Sequence, residues 1–79
     1  MKEFIVQSVN DEDEIVEKTK IVIEENDRII LKYGLINNDR PVPKSYIEST
    51  HEYFTKCLED NVKVINLPYF VNIEILKIN

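Results

Sequence analysis

Apolar residues follow two rhythms along this chain. Residues 2–8 (KEFIVQS) alternate loosely around Phe4, Ile5 and Val6 and read as a first strand. Asn10-Asp11-Glu12-Asp13-Glu14 then breaks the pattern with four consecutive carboxylates. From Ile15 to Glu24 (IVEKTKIVIE) two readings compete. A helix capped by Asn10 would gain from acids in its first turn and gather Ile15, Thr19, Val22 and Ile23 on one face. A strand would use Ile21-Val22-Ile23, whose β-branched side chains lose rotamer freedom in a helix. We prefer the strand, because Arg28–Tyr33 reads as its hairpin partner across the turn Glu24-Glu25-Asn26-Asp27. Gly34 marks a bulge or bend, and residues 37–44 (NNDRPVPK) form the longest stretch without apolar periodicity, a loop.

The rhythm changes after that loop. Over residues 45–60, Tyr46, Ile47, Thr50, Tyr53, Phe54, Cys57 and Leu58 fall within an arc of about 140° at helical spacing, and Glu48, Glu52 and Glu59 cluster opposite within about 40°. Ser45-Tyr46-Ile47-Glu48 matches a capping box, and Asn61 supplies a left-handed stop. The tail is strand again, divided by Pro68 into Val62–Leu67 and Tyr69–Ile78, since proline cannot donate to a ladder. The order β-β-β-α-β-β predicts an α+β fold: a small antiparallel sheet of four to five strands with one helix packed across it. At 79 residues, one domain spanning 1–79 is expected.

Composition sharpens this picture. Twelve Ile with no Ala, no Trp and one Gly favour strands. The single cysteine, Cys57, cannot form an intramolecular bridge, and MKEFIVQ has neither the apolar run of a signal peptide nor a span, so a reducing cytoplasm is expected. Net charge is −5, and its distribution is uneven: residues 1–27 carry −6 and the remainder +1. Direct nucleic-acid binding needs Lys and Arg against phosphates and is disfavoured.

The acidic run fails as a calcium loop. With Asp11 first, the position that needs glycine holds Val16, and the position that needs glutamate holds Val22. His51 and Cys57 differ by about 120° around the helix, so they make no nucleophile and base pair. One His and one Cys give no zinc spacing, one glycine gives no phosphate loop, and neither G-x-S-x-G nor H-E-x-x-H occurs. No catalytic residue, cofactor or metal is expected, and the chain reads as a non-enzyme.

Two binding surfaces are expected instead. The first is acidic. Carboxylates alternating on a strand stand about 6.6 Å apart, and those at i, i+4 on a helix about 6 Å, close to every second phosphate of a DNA strand. Asp11, Glu12, Asp13, Glu14, Glu17, Glu24, Glu25, Asp27, Glu48, Glu52 and Glu59 are its candidate residues. The second is aromatic and apolar, through Tyr46, Tyr53, Tyr69 and Phe70, or through an exposed sheet edge that could pair with a target or a second copy.

In its size, the lack of Ala and Trp and near lack of Gly, the NDEDE run and the Glu48-Glu52-Glu59 face, the sequence resembles by type the small acidic proteins that phages make early in infection to disable host factors, DNA mimics among them. That resemblance implies inhibition of a basic DNA-binding host protein in a bacterial cytoplasm: a histone-like nucleoid protein, a polymerase subunit or a defence nuclease. The alternative is an inhibitor or adaptor that binds through the aromatic patch or sheet edge without mimicry.

Overall fold

A computed structural model describes residues 1–37 and 39–77. Asn38 of the expected loop and Ile78 of the expected last strand lie outside the described residues. The strand β1 (Lys2–Val9) is central to a three-stranded sheet, flanked by β2 (Ile15–Ile23) and β6 (Val64–Pro68). Its alternation does the sorting: Phe4 and Val6 are buried, while Glu3 and Ile5 face solvent. β2 runs antiparallel to it, with Ile21 opposite Phe4 and Thr19 opposite Val6. The register then slips, with Ser8 opposite Glu17 but Val9 opposite Ile15, so Val16 is the extra residue of a bulge beside the turn. The strand reading of residues 15–24 therefore holds.

The α+β architecture is as expected, and the pairing within it differs in three respects. β6 runs parallel to β1, with Val6 beside Ile65 and Ser8 beside Leu67. β3 (Arg28–Tyr33) pairs with β7 (Val71–Leu76) instead of with β2. Between β3 and the helix, β4 (Leu35–Ile36) and β5 (Arg40–Pro41) add a two-residue ladder, and Gly34 breaks β3 from β4 while its N–H donates to Phe70 O at 2.8 Å. The expected turn at 24–27 is present, closed by Asp27 N–H to Glu24 O at 3.1 Å, but it sends the chain to the other ladder. Side-chain matching explains the choice. β3 sets Ile29, Leu31 and Tyr33 against Ile75, Ile73 and Val71 of β7, six apolar side chains on one face. β2 offers only Ile21 and Ile23 at equivalent positions, followed by Thr19 and Glu17.

The helix α1 (Lys44–Glu59) buries Thr50, Phe54 and Cys57 and half-buries Ile47 and Leu58, as its periodicity predicts, while Tyr46 and Tyr53, at one margin of the expected arc, stay exposed. Its start corrects the capping-box expectation. Pro43 is the N-cap, and Ser45 is already helical, its carbonyl accepting from Ser49 Oγ at 3.0 Å. Val42 is anchored in the core and Pro43 holds φ −60°, so the chain enters the helix earlier than the serine, and the Pro43 carbonyl takes the N–H groups of Tyr46 and Ile47. The stop is as expected. Asn61 sits at φ 55°, its N–H donates to Leu58 O, and Val62 N–H donates to Cys57 O, the paired bonds of a Schellman turn. Lys2 Nζ adds a bond to Leu58 O at 3.0 Å, a cation on the negative end of the helix.

One cluster unites these elements. Ile65 and Leu67 are fully buried among Phe4, Val6, Phe54, Cys57, Phe70 and Val71, with Phe4 and Phe54 edge-to-face at 6.0 Å. Burial of a side chain such as Phe54 is worth about 1.5–3 kcal/mol. Among the described residues, no helix is long and apolar enough to cross a membrane.

Candidate functional site

Pro68 does not break the tail as expected but ends β6, paired with Val9, and the turn between β6 and β7 is Tyr69 and Phe70, at the end of the sheet where β1 passes into β2. Tyr69 N–H donates to Val9 O at 2.8 Å, which ties that turn to the end of β1. Phe70 is buried, and the Tyr46 and Tyr69 rings lie against it at centroid distances of 5.7 and 5.2 Å. Such tilted and edge-on contacts favour a fixed ring geometry. The Tyr69 phenol oxygen accepts from Asn37 N–H at 3.2 Å, and 45% of Tyr46 remains exposed.

The acidic run closes the other side of this end. Asn10 organises it: its side-chain Oδ1 accepts from the N–H groups of Glu12 and Glu14, both at 2.9 Å, and its Nδ2 donates to Glu14 Oε1 at 3.3 Å. Asn10 N–H reaches Glu14 O and Asp13 N–H reaches Asn10 O, which closes the turn in backbone as well. Asp13 takes φ 61°, a conformation that Asp and Asn tolerate better than most residues. NDEDE is thus a side-chain-braced hairpin turn.

Turn and rings enclose one groove of about 440 Å³, lined among others by Asp11, Asp13, Tyr46, Pro68, Tyr69 and Phe70. A second depression of about 340 Å³ shares Asn10, Asp11 and Tyr69 and adds Glu12 and Asn37. Among the described residues, no lysine or arginine lines either.

The other candidate residues are placed elsewhere. Glu17 faces a smaller cleft between the two ladders, beside Val71 and Ile73. Glu24 and Glu25 lie with Met1, Lys2 and Leu58 at the far end of β2, roughly 30 Å from the NDEDE turn at 3.3 Å per strand residue. Lys18 and Lys20 stand between them, Lys20 being 3.8 Å from Glu3. Asp27 is engaged internally: its carboxylate accepts from Lys77 Nζ at 2.5 Å and from Glu24 N–H at 2.9 Å, and its side chain is 4% exposed. The Lys77 bond, then the Glu24 bond, hold its carboxyl below the ordinary 3.8. Glu48, Glu52 and Glu59 are exposed on the outer flank of the helix, where Lys56 interrupts them and lies 3.7 Å from Asp60. Tyr46 and Glu48 point about 160° apart around α1, so the helix stripe and the groove occupy different surfaces.

Of the four aromatics, three meet at the groove. Tyr53 sits farther along the helix, where burial first, then Cys57 beside it, pushes its phenol up, against an opposite effect from the Asn66 backbone. Sequence reasoning did not single out Val9, Asn66 or Leu67, which line the groove, nor the bracing role of Asn10. An asparagine heading an acidic turn was the visible signal for the last of these. The lining residues of β1 and β6 come together through parallel pairing, which has no local signature. Comparisons with protein families, curated proteins and solved structures find no match to this chain.

Proposed function

We propose that this chain is a non-enzymatic protein that binds, and by binding inhibits, a basic nucleic-acid-binding protein through the end of the molecule that carries the NDEDE turn. One observation carries the reading: Asp11 and Asp13 of the acidic run and the aromatics Tyr46, Tyr69 and Phe70, distant in sequence, line a single groove. Carboxylates supply attraction and orientation for a cationic surface, and rigid aromatics supply contact area at low entropic cost. A partner whose basic surface is held there cannot offer it to phosphates. In the setting implied by the resemblance to phage early proteins, that partner is a host factor.

The placement of charge favours local recognition over an extended copy of a phosphate track. The two strongest acidic groups stand at opposite ends of β2 with Lys18 and Lys20 between, and Lys56 interrupts the helix stripe. Purified histone-like nucleoid protein is a suitable first target. Binding should weaken at least about tenfold between low and moderate salt, as expected where exposed charges are screened over about 8–10 Å. Asp11→Asn combined with Asp13→Asn should weaken it further at low salt, and duplex DNA should compete. If a panel of such basic proteins, polymerase subunits and nucleases binds equally well to wild type and double variant, or not at all, the proposal fails.

A further inference from the structure

The groove has a shape and a chemistry that together specify more than positive charge. Its wall is aromatic, with Tyr46 backed by Phe70 and Tyr69 tethered through its phenol to Asn37. Its lip is anionic, with Asp11 and Asp13 on a turn already fixed by Asn10, so little side-chain and loop order remains to be lost on binding. Among the described residues, no base lines it. At about 440 Å³ it is near the small end of ligand pockets and is open to solvent, so it admits a long side chain together with part of the extended backbone that carries it.

We infer that the groove takes an arginine side chain from an extended basic segment of the partner, with the guanidinium over the Tyr46 ring and its N–H groups toward Asp11 and Asp13. This rests on the binding reading above and names the residue recognised. Arginine fits where lysine does not. Its planar, weakly hydrated guanidinium stacks on an aromatic face while its forked donors engage carboxylates, whereas an ammonium is a compact, strongly hydrated point charge. The adjoining depression, which shares Asp11 and Tyr69 and adds Glu12, extends the same wall. In an extended segment, side chains two residues apart project on one side about 6.6 Å apart. A second basic residue two positions along therefore reaches that depression.

The test uses the full chain and a blocked heptapeptide, Gly-Ser-Arg-Thr-Arg-Ser-Gly, with versions carrying lysine or the neutral isostere citrulline at both arginine positions. Binding is followed by chemical-shift titration and calorimetry. The arginine peptide is expected to bind tightest, to perturb the Tyr46 and Tyr69 ring signals, and to lose affinity about tenfold with Asp11→Asn plus Asp13→Asn, in line with charged hydrogen bonds. Tyr46→Leu should cost about two- to fivefold, the range of an exposed cation–ring contact, while Tyr46→Phe keeps the ring and the affinity. Tyr53→Leu, outside the groove, should change nothing. Equal binding of arginine and lysine peptides with no loss in Tyr46→Leu overturns the arginine inference. So does failure of all three peptides while the basic protein still binds, an outcome that leaves the broader proposal standing. A folded Tyr46→Leu variant with undiminished arginine-peptide affinity overturns it as well.

Discussion

At the scale of single residues, two side chains reverse what their composition suggests. Asp27, counted by charge among acids available to a partner, is committed to Lys77 and to its own turn. A carboxyl held below its unfolded value contributes stability above the unfolded value, and that contribution fades as pH falls through the lower folded value. Wild type should therefore exceed Asp27→Asn in thermal midpoint at pH 6, and the gap should close in acid, below the ordinary 3.8. A gap that stays constant from pH 7 to pH 2 would show that the charge is not what matters. Asn10 is the converse, an uncharged residue that shapes the acidic turn. Asn10→Ala removes two acceptor bonds to backbone N–H groups, and at about 0.5–1.5 kcal/mol each the loss should be about 1–3 kcal/mol in a denaturant titration. A change below a few tenths would show that the turn holds itself.

Elements were legible where their signal is local. The helix arc, the left-handed stop at Asn61 and the division of the tail into two strands all depend on residues within a few positions of one another, and the structure has each of them, although Pro68 itself stays in β6 opposite Val9 and the turn falls at Tyr69 and Phe70. The partner of β3 was not legible, because adjacency along the chain suggests β2 while the apolar face of β7, some forty residues on, is the better match. The helix start was misread for a related reason: the burial of Val42 fixes where the chain enters α1, and no capping pattern records it. The groove shared this fate, since its two halves were each visible and their meeting was not. The free edge of β2 bears a further prediction. If two copies paired antiparallel with Thr19 opposite Thr19, Lys18 would face Lys20 of the second copy twice, and like charges directly opposite are unfavourable. Wild type should stay monomeric at high concentration, whereas Lys18→Glu converts both repulsions to attractions and should yield a dimer by light scattering. A monomeric variant would mean that something besides lysine guards the edge.

At the scale of the whole molecule, the parallel pairing of β1 with β6 sets an order in time. β1 and β2 are joined by a short turn, and hairpins close in about 1–10 μs, but Ile65 and Leu67, the most deeply buried side chains, arrive only after the helix. At about 5–20 residues per second of synthesis, the first hairpin, complete at Ile23, waits roughly 2 to 9 seconds for the strand that completes its sheet and ends at Pro68. Throughout that interval Phe4, Val6 and Ile21 have no core to enter. The segment that must wait is also the one carrying −6, and like charges keep unfolded apolar chain apart. A chain ending after Asp60 should be unfolded yet soluble, and should precipitate when the carboxylates of residues 11–14 are replaced by their amides. If it does, the acidic run acts before the protein has a surface at all, as a guard on the newborn chain.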